Sequence, residues 1–269
     1  MSAGHGGRCV RWATDAGLLF VKLAPVERYW VFEAEAEGLA ALAGASAIRV
    51  PAALATGSAG RAAFLALEWL DLRSPTAASE AVLGAELARQ HRSTAAHHGW
   101  HRDNTLGYTR QRNEPDPDWP TFFADRRLRV QLDLAEANGH GGRWMARGRR
   151  LIESVPVLLA GHDPVPSLLH GDLWAGNHAA DAAGRPVVFD PSVHYGDRET
   201  DIAMTRLFGG YGHGFYAAYQ AEWPLDAGAE VRAPLYDLYH VLNHLNLFGG
   251  GYRRQAEELI ERLLASVRG

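Results

Sequence analysis

The chain has 269 residues, 47% of them hydrophobic and 22% charged, with a formal net charge of −4, so it can bury a core as one large domain or two modest ones and is not disordered by composition. Basic clusters such as Arg126-Arg127 and Arg149-Arg150 sit among acids, which argues against nucleic acid as a partner. Cys9 is the single cysteine, which excludes an intrachain disulfide; no apolar run of membrane-spanning length occurs, and the start lacks a basic segment followed by an apolar one. A soluble, cytoplasmic protein with no membrane partner is expected.

Scattered glycines, Gly4, Gly6 and Gly7, precede two strand-like runs, Cys9 to Ala13 and Leu18 to Leu23, separated by the turn signal Asp15-Ala16-Gly17. Lys22 lies inside the second run, where it either snorkels from a sheet edge or meets a partner. Phe32, Ala36, Leu39, Ala40 and Ala43 recur at helical spacing and define an inward stripe ending near Gly44. Glu35 borders that stripe: it reads as a solvated acid beside Glu33 and Glu37, or as the carboxylate that Lys22 needs. Ala52 to Thr56 and Ala62 to Leu67 suggest a second hairpin about Gly57 to Gly60. Glu68-Trp69-Leu70-Asp71 then marks the boundary between a small β-rich lobe, residues 1–70, and a larger helical one, residues 71–269. A nucleotide base can bind there through exposed backbone groups, which makes Glu68 and Leu70 candidate cofactor-binding positions.

From Ala77 the texture is helical, with Ser79 as a cap for a helix to about His91 whose inner face includes Leu83 and Leu87. His91, His97, His98 and His101 are accompanied by no cysteine and repeat no ligand spacing, so a zinc site is not expected. Residues 99–118 form a long polar stretch, either a substrate flank or a plain surface excursion. Trp119 to Ala137 and Arg143 to Leu159 read as helices broken at Asn138 to Gly142.

The stretch from Ser167 to Asp190 carries the chemistry. Leu168, Leu169 and His170 read as a buried strand end, Val187 to Phe189 as another, and Asp181 to Arg185 as the turn between them, a hairpin that brings Asp172, Asn177 and Asp190 into one volume. A phosphoryl donor arrives as a magnesium complex, which needs hard oxygen ligands and a carboxylate to hold or deprotonate the attacking hydroxyl. Asn177 and Asp190 suit the metal and Asp172 the hydroxyl; the protein-kinase catalytic loop has the same interval from Asp to Asn, with a metal-binding Asp downstream. The bland reading of these residues is a turn and a cap.

Beyond Asp190, Thr200 can cap a helix through Leu207, with Asp201 bonding backbone near the catalytic loop or helping that cap. Gly209 to Gly214 follows no strand and reads as a connector between helices rather than a phosphate cradle. Helices are expected over Phe215 to Trp223, Val231 to Phe248 and Gln255 to Val267, with Tyr236, Tyr239, His240, Asn243 and His244 as polar-aromatic core.

HGDLWAGN, the VVFDP after it and YGDRETDIAM beyond resemble the fructosamine kinase (ketosamine-3-kinase) family. DAGLLFVKL, FEAEAEGLAAL, FLALEWLDL, DNTLGYTRQRN, FFADRRLRVQLDLA, LFGGY and LYHVLNHLNLFGGGY are similar to it in the same order, over essentially the full length. The resemblance implies an α+β, two-lobed protein-kinase-like fold: a small N-lobe sheet of five antiparallel strands with one helix, and a mainly helical C-lobe. It implies ATP and Mg2+ as cofactors, Lys22 on the nucleotide phosphates held by Glu35, Asp172 as catalytic base or hydroxyl-positioning group, Asn177 and Asp190 on magnesium, and Trp174 lining the sugar pocket. The reaction implied is phosphorylation of the carbon 3 hydroxyl of a ketosamine, free or on a glycated protein, whose unstable product releases the amine. Ribulosamine or erythrulosamine is favoured over fructosamine. Two departures stand out. SAGHGGRC copies the family's glycine-rich loop poorly, and the strand that leads into that loop in the family is either absent or belongs to an incomplete start, so weaker nucleotide binding is an expectation to test; Cys9 is not equated with the cysteine some members carry in that loop. Pro191-Ser192 replaces the Phe-Gly of protein kinases. The residues also leave open a kinase of this fold acting on an aminoglycoside or choline, and a nucleotide-binding pseudokinase.

Overall fold

A computed structural model describes residues 7–267. In chain order the elements are β1 (Arg8–Thr14), β2 (Gly17–Pro25), α1 (Tyr29–Ala45), β3 (Ala53–Ala59), β4 (Ala62–Glu68), α2 (Ala77–His91), β5 (Asn104–Leu106), β6 (Thr109–Gln111), α3 (Trp119–Phe122), α4 (Arg129–Ala137), α5 (Trp144–Leu158), β7 (Ser167–Leu169), β8 (His178–Ala180), β9 (Pro186–Val188), β10 (His194–Gly196), α6 (Glu199–Leu207), α7 (His213–Glu222), α8 (Ala229–Phe248) and α9 (Arg253–Ser266). The described residues divide into two compact units: 7–93, 170–193 and 208–224 form the first, and 94–169, 194–207 and 225–267 the second.

The first unit holds a four-stranded antiparallel sheet in the order β1-β2-β4-β3. Both expected hairpins are present. The turn of the second lies at Gly60-Arg61 rather than over the whole glycine-rich stretch, because Gly57 stays in β3, where a Cβ would come within 2.7 Å of the Phe64 ring across the ladder. The additional strand implied by the resemblance, and the Gly4 and Gly6 part of the loop, lie outside the described residues. Helix α1 packs on β3 and β4. Its buried residues are Phe32, Ala34, Gly38, Leu39 and Leu42, while Ala40 and Ala43 are exposed, so the inward face is rotated from the expected one and Glu35 falls within it. The helix runs to Ala45, one residue beyond the expected end near Gly44; Ser46 follows in the left-handed position at φ 56° and donates its N–H to Ala43 O. Thr76, not Ser79, caps α2, and Ser79 completes a reciprocal capping box from the first turn.

The hairpin around Asp181 to Arg185 joins β8 to β9. Sequence reasoning assigns its first arm to Leu168-Leu169; the structure pairs that strand, β7, with β10 in the second unit instead. Leu70 and Leu72 pack on Ala179, Val187 and Phe189, so β8 and β9 share an apolar cluster with the segment after β4.

The second unit is mainly helical, with a core of Trp119, Phe122, Phe123, Leu151, Tyr236, Tyr239, Leu242 and Ile260 among others. Residues 119–137 are helical throughout, with a π-helical segment, Phe123–Leu128, between α3 and α4. The polar stretch 99–118 is not structureless: β5 and β6 form a tight hairpin about Gly107. Tyr236, Tyr239, His240 and Asn243 are buried as expected. Among the described residues no helix is long and apolar enough to cross a membrane.

Candidate active site

Lys22 sits on β2, flanked in the sheet by Cys9 of β1 and Leu65 of β4. Alternation along the strand turns its side chain inward, where only 11% of it is exposed. A buried ammonium needs charged partners, and it has two. Nζ lies 2.6 Å from Glu35 Oε1 and 2.5 Å from Asp190 Oδ1. Burial alone lowers the lysine pKa, but the two carboxylates outweigh it and hold the group above its usual range, so it is cationic at neutral pH. Glu35 is pushed upward, chiefly by burial and further by the Asp190 charge, with Lys22 opposing.

Asp190 is held in the left-handed region at φ 58°, which an L-residue other than glycine adopts only at a cost. Its neighbours fix it there. Phe189 N–H donates to Asn177 O at 3.1 Å, and Phe189 O accepts from His170 Nε2 at 3.1 Å. The other nitrogen of that imidazole, Nδ1, receives the Asp172 N–H at 3.3 Å. These two bonds require the tautomer protonated on Nε2, and they make the buried His170 ring a strut between the segments that present Asp172 and Asp190. Gly171 between them has φ 81°, and a Cβ there would lie 2.1 Å from Ser192 O. Only glycine fits both the backbone angle and that approach.

Asn177 donates from Nδ2 to Asp172 O at 2.9 Å and to Asp172 Oδ2 at 3.2 Å. The amide is thereby oriented with Oδ1 as its remaining polar atom. With Oδ1 of Asp190 on Lys22, the hard oxygen donors left by this arrangement are Asn177 Oδ1 and Asp190 Oδ2, a set whose chemistry suits a small divalent cation. Trp174, on the same loop, is 39% exposed, and its indole lies over Gly176, where a Cβ would come within 2.2 Å of the ring. Tyr211 donates its hydroxyl to Trp174 O at 3.3 Å and stacks on Phe215.

Of the expected site residues, the structure joins Lys22, Glu35 and Asp190 by direct contact, Asp172 and Asn177 by another, and the two groups through His170 and Phe189. Glu68 ends β4, where its carboxylate is paired with Arg49 and accepts the Ala52 N–H at 3.2 Å, while Leu70 packs on the cluster beneath Asp190. Sequence reasoning gave His170, Gly171 and Tyr211 no role of their own. The signal for the first two was the His-Gly pair immediately before Asp172; Tyr211 had no local signal.

In the second unit, His162, Asp197 and Glu199 offer ligand atoms within 4.8 Å of one another. Those atoms are already engaged. Arg232 binds Glu199 through two nitrogens at 2.6 and 2.7 Å, and Tyr236 OH and His162 Nε2 reach Asp197 Oδ2 at 2.5 and 2.7 Å. Burial lowers the His162 pKa, yet Asp197 and Glu199 outweigh it and the imidazole is held above its usual value, as an ion-pair partner rather than a metal ligand.

A sheet bearing an ion-paired lysine, with an Asp and an Asn on a tight loop and a further Asp after the next hairpin, defines a kinase-like fold. An aminoglycoside phosphotransferase APH(4)-Ia, solved with ADP and hygromycin B, shares it with a TM-score of 0.64 at 15% identity, over 100% of this chain and 92% of that one. The chain belongs to the fructosamine kinase family: the family model described as "Fructosamine kinase" matches residues 1–266. It is 42% identical to the "Probable ketoamine kinase slr1563" of Synechocystis over 91% of this chain and 82% of that protein. It is 38% identical to the chloroplastic protein-ribulosamine 3-kinase of Arabidopsis thaliana over 98% and 82%. A "putative fructosamine-3-kinase" of Haemophilus somnus superposes with a TM-score of 0.90 at 28% identity, covering 98% of this chain and 89% of that one.

Proposed function

We propose that this protein is an ATP-dependent kinase that phosphorylates the carbon 3 hydroxyl of ketosamines, the adducts formed when sugars glycate amines. The observation that carries the reading is the contact of Lys22 with both Glu35 and Asp190, joined through His170 to a loop on which Asn177 orients Asp172. Family membership and the ribulosamine 3-kinase name of the plant relative support the substrate class.

In this reading Lys22, kept cationic by its two carboxylates, contacts the nucleotide phosphates, and Glu35 fixes its reach. Residues 1–70 form the nucleotide lobe and 71–269 the lobe bearing the catalytic loop; the backbone at Glu68 and Leu70 meets the base. Asp172 accepts the proton of the attacking hydroxyl, or holds that hydroxyl in line, from a position set by Asn177 and the His170 strut. Trp174 offers a partly exposed aromatic face to the sugar. Magnesium, when bound with the nucleotide, supplies neutralisation of phosphate charge, and Asn177 and Asp190 are the donors suited to hold it. The 3-phosphate decomposes and frees the amine, so the activity is a deglycation, acting on small ketosamines or glycated proteins. We place it in the cytoplasm, on the ground that Cys9 is the single cysteine.

The test is ADP release with Mg-ATP across ribulosamine, erythrulosamine and fructosamine adducts of lysine, with an aminoglycoside and choline as competitors. Turnover on a ketosamine with little on the other two supports the reading. Faster transfer to either competitor, or nucleotide binding without turnover, sinks it.

A further inference from the structure

We propose that a charged cavity, built from none of the candidate active-site residues, binds a small oxyanion, a carboxylate or phosphate group carried by a metabolite. It has a volume of about 360 Å³ and is lined by Asp103, Arg110, Arg112, Glu114 and Arg126, all of the second unit, on the β5–β6 hairpin, its flanks and the π-helical segment.

Three guanidinium groups face two carboxylates, and the pairing is incomplete. Asp103 Oδ2 accepts from Arg110 Nε at 3.0 Å, and Glu114 Oε2 accepts from Arg126 Nη2 at 2.7 Å. Arg112 has no ion pair among the described residues, and Arg126 Nε is buried with no hydrogen-bond partner. A buried donor left unsatisfied is costly. A planar or tetrahedral oxyanion supplies acceptors that match a guanidinium fork and neutralises the uncompensated cation. The two carboxylates limit the net positive charge of the lining and so favour a singly charged group over a polyanion.

What lies beneath the arginines is a second, independent observation. Alternation along residues 110–113 turns Arg110 and Arg112 outward and Gln111 and Asn113 inward, where both are buried. Arg127, fully buried, donates to Arg112 O and, at 2.7 Å, to Asn113 Oδ1. Asn113 and Gln111 both donate to Asn104 Oδ1 at 2.8 Å, Tyr239 OH donates to Gln111 Oε1 at 2.8 Å, and Asp103 Oδ1 accepts the Asn113 N–H at 2.9 Å. A polar network of this depth fixes the backbone that presents Arg110 and Arg112, the preorganisation an anion site requires.

The test uses the full chain, with calorimetry and the arginine Nε–H resonances followed during titration with inorganic phosphate, acetate and glycine. At least one of these is expected to bind and to shift the Arg126 Nε signal. Arg112→Ala and Arg126→Gln are each expected to weaken that binding by about tenfold or more, while Lys22→Met leaves it unchanged. Binding of phosphate without acetate or glycine identifies a phosphate ester as occupant, and the reverse a carboxylate. No shift at Arg126 with any anion, binding that survives Arg112→Ala, or binding lost with Lys22→Met overturns the proposal. The titration reads no phosphoryl transfer, so its outcome is independent of the ketosamine kinase reading.

Discussion

Lys22 Nζ and Asp190 Oδ1 are 2.5 Å apart although 168 residues separate them in the chain. Together with Glu35 they form a three-membered charge cluster in which one buried cation is shared by two acids. The cluster ties strand β2 to the loop that ends the β8–β9 hairpin, and its energetics can be probed apart from turnover.

Replacing Lys22 with Met leaves Glu35 buried beside Asp190 with no cation between them. Removing one partner of a buried pair costs about 3–5 kcal/mol, and urea unfolding near neutral pH is expected to register a loss of that order, discounted because Asp190 is partly exposed. Glu35→Gln in the Lys22→Met background should recover part of it, since the uncompensated carboxylate is gone. Equal stability of the single and double variants would show that the ion pair, as described, does not exist. Turnover should fall at least about a hundredfold in either, as lost transition-state charge stabilisation predicts.

The strut role of His170 makes a different demand. His170→Ala removes the ring that bonds both Phe189 O and the Asp172 N–H. The expected result is a fall in kcat of roughly tenfold to a hundredfold with a smaller change in KM for ATP, because Lys22 and Glu35 keep their contact. An unchanged kcat would remove His170 from any part in positioning Asp172.

His98 packs against the Trp119 and Phe122 rings, its Nδ1 has no hydrogen-bond partner, and burial lowers its pKa to about 4 despite the nearby acids led by Asp197. The unfolded chain takes up this proton below about pH 6.5 and the native protein does not until about pH 4. Stability from the neutral ring is therefore fully present above about 6.5 and lost as pH falls toward 4. His98→Phe keeps an aromatic ring that cannot titrate. Relative to the parent it should gain on the order of 1–2 kcal/mol between about pH 7 and pH 5, read from urea midpoints at the two values; a pH-independent difference contradicts the burial argument.

Asp237 on α8 runs the opposite way. Burial pushes it up to about 7 against the opposing charges of Arg206 and Arg262, and its Oδ1 lacks a hydrogen-bond partner. A carboxyl with a raised native pKa favours the folded state while protonated and destabilises it as pH rises through that value. Asp237→Asn should therefore stabilise the protein by about 1–2 kcal/mol near pH 8, after discounting for partial exposure, and have little effect near pH 4. Thermal melts at both values decide it, and a larger gain in acid than in base would reverse the sign.

Much of the site was legible because phosphoryl transfer restricts which residue types stand at which intervals: Asp172, Asn177 and Asp190 announce themselves, and Lys22 on an apolar strand asks for Glu35. What was not legible has physical reasons. Alanine counts as apolar on either face of a helix, so Ala40 and Ala43 drew the α1 stripe toward the wrong side while Glu35, flanked by buried Phe32, Gly38 and Leu39, lay within the true one. Strands as short as β7, Ser167–Leu169, carry no register signal, which is why its partner was misassigned. The β5–β6 hairpin hid in a polar stretch because its interior is built of amides bonded to one another rather than of alternating apolar residues. The strut role of His170 was not legible, for the bonds by which it links Phe189 to Asp172 are to backbone atoms, which no sequence pattern advertises.

The most direct measurement is the site of phosphorylation. Incubation of the protein with Mg-ATP and a carbon-13-labelled ribulosamine adduct of lysine, followed by carbon and phosphorus NMR, should show phosphate on carbon 3 of the sugar, then free lysine as that ester decomposes, and neither with Asp172→Ala. Phosphate on another hydroxyl, no transfer at all, or undiminished transfer by Asp172→Ala would contradict the account.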